Sequence, residues 1–115
     1  MEQITILGRP ISKKNSKRLV PIRGRMIPIC SKAFNNFHKD ALSQLTGCRK
    51  LKPPYAVSYR FNMKGKLDTD IDNMVSGIND ILQDAGIITD DKYITHINAV
   101  KISGCKEWES VISIC

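Results

Sequence analysis

The chain of 115 residues is short of several things, and each shortage removes a class of function. No apolar run approaches the roughly 20 residues that span a bilayer, so no membrane segment is expected. The opening Met1-Glu2-Gln3-Ile4-Thr5 lacks a basic stretch followed by a long apolar one, so no secretory signal is expected and a cytoplasmic location follows. Cys30, Cys48, Cys105 and Cys115 form no C-x-x-C pair, and the only histidines, His38 and His96, lie far from them, which argues against zinc. Free, buried thiols in a reducing compartment are the expected state. Gly8 to Ser16 contains lysine and serine but no second glycine before the lysine, so it is not a phosphate loop. Repeats and linkers are also missing, which leaves one domain over residues 1–115. Hydrophobic residues make up 42%, enough to exclude disorder as the default.

Acidic residues are scarce in the first part of the chain and abundant in the second. Residues 1–66 hold fifteen Lys/Arg against Glu2 and Asp40, a balance of +13. Residues 67–115 hold three Lys against nine acids, a balance of −6. A basic half attracts phosphates and releases their counterions. An acidic patch would repel nucleic acid unless cations neutralise it. The two together suit an enzyme that brings Mg²⁺ to a phosphate backbone.

Gln3 to Leu7 alternates as a first strand, interrupted by Gly8-Arg9-Pro10. A polar basic loop follows, Ser12 to Arg18. Leu19–Ile22 and Met26–Cys30 flank Arg23-Gly24-Arg25 and read as a hairpin with two arginines at its tip. Ser31 can cap a helix on which Phe34, Phe37, Ala41 and Leu45 share a face. Arg49 to Pro54 is a stiff basic connector, and Tyr55 to Met63 alternates as a strand. Ile71, Met74, Val75, Ile78, Ile81 and Leu82 form one apolar stripe on a second helix, closed by Gly86. Ile94–Ser103 and Trp108–Cys115 read as final strands. The expected fold class is α+β: a two-layer domain with a mixed sheet and two main helices on one face.

The chemistry concentrates at Asp68-Thr69-Asp70-Ile71-Asp72-Asn73 and at Asp90-Asp91. In an extended segment Asp68, Asp70 and Asp72 project in similar directions; once the helix starts, Asp72, Ser76 and Asp80 share a face. Carboxylate oxygens are what a hard divalent cation wants. One bland alternative is that Asp70 or Asp72 merely caps the helix, which leaves the other acids unexplained. An EF-hand loop is the sharper rival. It fails because Asn73 stands where glycine is needed and Asn79 where a bidentate glutamate is needed.

Asp70-Ile71-Asp72-Asn73, then Asp80, Gly86 and Asp90-Asp91, resembles the signature of the RusA-type Holliday-junction resolvases, a crossover junction endodeoxyribonuclease family. The resemblance is strongest over residues 66–100, and Pro10 to Asn15 adds a weaker likeness. It implies a single RusA-like endonuclease domain forming a homodimer. It further implies Mg²⁺- or Mn²⁺-dependent, paired, symmetric hydrolysis of four-way or other branched DNA in recombination and repair. Carried over by position, Asp70, Asp72 and Asp91 would be the catalytic, metal-binding carboxylates. Asp90 would be a supporting metal ligand, with Asn73 and Asp80 orienting groups behind them. A prophage setting is also implied. One position departs from the pattern: Ser76 stands where the family has a lysine. Lys64, Lys66 or the Lys13-Lys14 pair would have to supply that charge.

Candidates for contact with the DNA backbone are Lys13, Lys14, Asn15, Lys17, Arg18, Arg23, Arg25, Lys64 and Lys66, with Arg9 beside them. Phe34 and Phe37 are expected in the core. Trp108 and Tyr93 are expected in the core or a dimer interface. A protein that binds branched DNA without cutting it, degenerate at Ser76, is the alternative, and a metal-binding regulatory domain is a weaker third.

Overall fold

The computed structural model describes residues 2–12, 17–65 and 70–115. Alternation of apolar and polar residues produces β1 (Glu2–Leu7), which turns Ile4 and Ile6 inward. Two short strands follow, β2 (Lys17–Ile22) and β3 (Arg25–Cys30), paired only with each other. Helix α1 (Lys32–Gln44) begins at Ser31, whose hydroxyl accepts the Phe34 N–H at 3.1 Å as expected of an N-cap. Strand β4 (Tyr55–Lys64) buries Tyr55, Val57, Tyr59, Phe61 and Met63 on one face. Helix α2 (Ile71–Asp84) and a single 3₁₀ turn (Asp91–Tyr93) lead into β5 (Ile94–Cys105), and β6 (Glu109–Ile114) ends the chain.

The main sheet has the order β1-β6-β4-β5. β6 runs antiparallel to both β1 and β4, whereas β4 and β5 are parallel, with Tyr59 opposite Ala99. A parallel pair needs a crossover, and α2 supplies it. This makes β4–α2–β5 the unit on which the acidic residues are hung. Met74, Val75, Ile78, Ile81 and Leu82 of α2 are buried against the sheet, each burial being worth roughly 2 kcal/mol before entropic costs.

Gly86 takes a positive φ of 76°, and the helix ends in a double-bonded C-cap. The Ile87 N–H reaches the Leu82 carbonyl at 3.0 Å and the Gly86 N–H the Gln83 carbonyl at 3.0 Å. This cap turns the chain sharply toward Asp90 and Asp91. The α+β class and the helix-covered sheet agree with the sequence. The thiols do not: Cys48 and Cys115 are exposed and Cys105 is half-buried, because each lies in a loop or at a strand end, away from the apolar faces.

Candidate functional site

Asp70 is the N-cap residue of α2. Its backbone is extended and its carbonyl accepts the Met74 N–H at 3.2 Å, but its side chain makes no capping hydrogen bond. The capping alternative therefore fails for this carboxylate, which is left at the positive end of the helix dipole. Asp72 lies in the first turn, where its carboxylate accepts the Asn73 N–H at 3.0 Å. Because α2 is uninterrupted, Asp72, Ser76 and Asp80 lie on one outward face at four-residue intervals. Two helical turns, about 12 Å along the axis, separate the outer two.

The second acidic group is built on the 3₁₀ turn. Asp90 caps it by accepting the Lys92 N–H at 3.0 Å, and that bond holds its carboxyl below the usual range, assisted by Asp91 and the Lys92 charge. Asp91 moves the other way. Partial desolvation raises it first, and the Asp90 and Asp80 carboxylates raise it further. The Asp80–Asp90–Asp91 corner is thus a place where negative charges crowd one another, and a divalent cation would relieve that crowding.

The fold brings Asp91 to Asp90 and Asp80. Asp72 stands at the other end of that helix face, and Asp70 precedes it at the extended N-cap position. Among the described residues, no three Asp, Glu, His or Cys side chains converge closely enough to hold a metal ion by themselves. The donor set is nevertheless of the right kind for Mg²⁺: hard carboxylates, one unspent on its cap and one raised by desolvation and by neighbouring carboxylates.

Beneath this face lies a feature the sequence reading overlooked. Asn79 is 6% exposed, inside the apolar stripe of α2, and the Tyr59 hydroxyl of β4 donates to its Oδ1. Burial pushes the Tyr59 phenol up to about 12, the bond to Asn79 opposes this, and the negative charge of Asp91 adds to it. A buried polar pair fixes the helix on the strand more specifically than an apolar contact does. The available signal was an asparagine at an inward position of the stripe opposite an inward tyrosine.

Gly77 is the second overlooked residue. A Cβ there would meet the Ile11 carbonyl oxygen at 3.0 Å and Ser12 N at 3.3 Å. The absence of a side chain lets the segment before the basic loop cross α2 beside Ser76. Ser12 is buried there, and its hydroxyl has no partner among the described residues.

The basic candidates are dispersed. Lys13, Lys14, Asn15 and Lys66, like Asp68, lie outside the described residues. Lys17 and Arg18 begin β2, Arg23 and Arg25 are exposed at the hairpin tip, and Lys64 is exposed at the end of β4. Arg9 lies over the Trp108 ring, 5.5 Å from its centroid. Trp108 is packed against the core as expected, whereas Tyr93 is exposed, with Lys92 over its ring. Phe34 and Phe37 are buried, and His38 is bonded to Asp84 at 2.6 Å.

The family model described as endodeoxyribonuclease RusA matches residues 8–114. No curated protein matches the chain.

Proposed function

The chain belongs to the endodeoxyribonuclease RusA family, and within it we propose a Mg²⁺-dependent enzyme that resolves Holliday junctions by paired, symmetric phosphodiester hydrolysis. The observation that carries this is the Asp70 carboxylate, held at a helix N-terminus yet not used as a cap, two residues before the helix face that runs from Asp72 to Asp80 beside Asp91. Asp70, Asp72 and Asp91 would hold the ion, with Asp90 in support. When bound, Mg²⁺ supplies Lewis acidity toward the scissile phosphate and lowers the pKa of the attacking water.

The chain's own residues do the rest. The Asn73 N–H orients the Asp72 carboxylate, and the Asp90 cap fixes the turn that carries Asp91. Asn79 and Tyr59 hold the helix at its depth. Lys13, Lys14, Asn15, Lys17, Arg18, Arg23, Arg25, Lys64 and Lys66 contact the DNA backbone, and Asp80 acts behind the ligands. Two such sites in a homodimer match the two-fold symmetry of a junction. Support for a second copy comes from β5, an edge strand that leaves Tyr93 beside it and its own Ile97, Val100 and Ile102 exposed. No described helix is long and apolar enough to cross a membrane.

The test is cleavage of a labelled four-way junction by the wild type and by Asp70→Asn. The wild type should cut in Mg²⁺ and not in EDTA. Asp70→Asn should lose about a thousandfold in rate, the scale expected of a lost electrostatic group, while keeping junction affinity. A variant that still cuts at the wild-type rate would remove Asp70 from the site. Ser76 in place of the family's lysine favours one second reading, a branched-DNA binder that does not cut. Tight junction binding with no cleavage in Mg²⁺ or Mn²⁺ would establish it.

A further inference from the structure

The β2–β3 hairpin is a part of the molecule that the acidic site does not use. It forms its own two-stranded sheet, with no ladder to the main one. A lone hairpin is marginally stable in water, so a surface that completes it has an energetic reason to bind. Its side chains indicate the kind of surface. The register pairs Leu19 with Pro28 and Pro21 with Met26, so these four share one face. Ile22, Arg25 and Ile27 share the other. Leu19, Met26, Ile22 and Ile27 are 62%, 58%, 45% and 37% exposed. Apolar side chains are therefore presented on both faces of a thin ribbon.

Three further observations narrow the partner. Residues 17–30 contain Lys17, Arg18, Arg23 and Arg25 and no acid, so the ribbon suits a polyanion and repels its own copy. Pro21 and Pro28 each lack an N–H, which discourages another strand from joining the ladder. The tip is strained in an informative way. Arg23 has φ 52° and Gly24 φ 77°, a two-residue turn of the kind usually occupied by Asn-Gly. An arginine in the left-handed region costs more than asparagine would, so its guanidinium at the far end of the ribbon is not there for the turn's sake. A cover packed on one side of the ribbon would bury one face only. Only a partner that closes around both faces buries all four apolar side chains.

We propose that the β2–β3 hairpin is a wedge that enters branched DNA at the strand-exchange point. Arg23 and Arg25 lie on phosphates there, and Leu19, Ile22, Met26 and Ile27 lie against unstacked bases. Apolar side chains inserted between base steps are a known way to trade lost stacking for a bent, opened duplex. A branch point has already lost part of its stacking, so the wedge selects it over linear duplex. This rests on the resolvase reading and adds the element that recognises the branch.

The experiment uses the full chain in Ca²⁺, with 2-aminopurine at the branch of a four-way junction and a linear duplex as control. Binding of the wild type should raise the 2-aminopurine fluorescence about threefold as the base unstacks. Leu19→Ser/Met26→Ser should abolish the rise and weaken junction binding about tenfold, with duplex binding changed less than about twofold. Arg23→Asn, which suits the turn and so preserves the hairpin, should weaken junction and duplex alike and lower the salt slope by about one. An unchanged fluorescence rise in Leu19→Ser/Met26→Ser would overturn the wedge. So would a dimer-to-monomer change in that variant's sedimentation, which would assign the ribbon to a second copy. Wild-type protein with no preference for the junction would instead overturn the resolvase reading on which the wedge depends.

Discussion

Helix α2 and the β2–β3 ribbon carry comparable numbers of large apolar side chains and use them in opposite ways. On α2 the stripe from Met74 to Leu82 is buried against the sheet, and the polar residues left outside include the acids and Ser76. On the ribbon Leu19, Ile22, Met26 and Ile27 face solvent, and the charged residues among them are all basic. The acidic chemistry is thus mounted on the rigid part of the molecule. The basic chemistry is mounted on a part with little internal support. Reacting groups gain from being held in place before substrate arrives. Groups that follow a bent, branched polymer gain from completing their contacts on it.

Truncation tests the contrast most strongly. Ile78→Ala should lower stability by about 3 kcal/mol, the usual cost of a cavity in a core, seen as a large drop in melting temperature. Ile27→Ala on the ribbon should change it by less than about 0.5 kcal/mol. Equal effects would mean that the ribbon is part of the core.

A smaller effect separates specific from generic burial within the rigid half. Tyr59→Phe leaves the Asn79 Oδ1 without its donor and should cost about 1–2 kcal/mol in chemical denaturation. Tyr59→Phe with Asn79→Leu, which removes both polar groups, should recover most of that loss. If the double variant is no more stable than the single one, the pair has no role in seating the helix.

Ser76→Lys sharpens the contrast by placing positive charge among the acids. If cleavage here lacks a cation at this position, the variant should cut a junction about tenfold faster, or roughly 1.4 kcal/mol at the transition state. An unchanged rate would mean that another basic residue already supplies the charge.

The smallest expected effect is on stability without metal. Asp91 has a folded pKa above the ordinary carboxylate value. Its favourable contribution is therefore complete below that ordinary value and is lost as pH rises through the raised one. At neutral pH the ionised group opposes folding, so Asp91→Asn should raise the melting temperature in EDTA. The gain should stay under about 0.5 kcal/mol, because the group is solvent-exposed and screened. Mg²⁺ should raise the wild-type melt and leave that of the variant nearly unchanged.

What could be read from the sequence follows the same division. The stripe on α2, the Ser31 cap, the Gly86 stop and the alternation of β4 all arise from local periodicity, and each is found where expected. The hairpin was legible from Arg23-Gly24-Arg25, but its isolation from the main sheet was not, because strand partners are chosen by tertiary contacts. A capping role for Asp70 was the open alternative; only the helix geometry shows its side chain unused for one. Asp91 meets Asp80 only through the turn after Gly86, a closure that spacing cannot fix. Asn79 and Gly77 stood inside an apolar pattern, where their roles depend on Tyr59 and Ile11, far away in the chain.

The sheet order has a consequence for how the molecule comes into being. β6 lies between β1 and β4, with Glu2 opposite Ile114 and Val57 opposite Ile114 on its other side. β1 therefore waits for β6, which is synthesised about a hundred residues later. Until residues 109–114 have emerged from the ribosome, β1 has no place in the sheet, and β4 exposes an unpaired edge. Closure of the sheet therefore waits for β6, and a nascent chain that has not yet released it carries unpaired strand edges that favour aggregation.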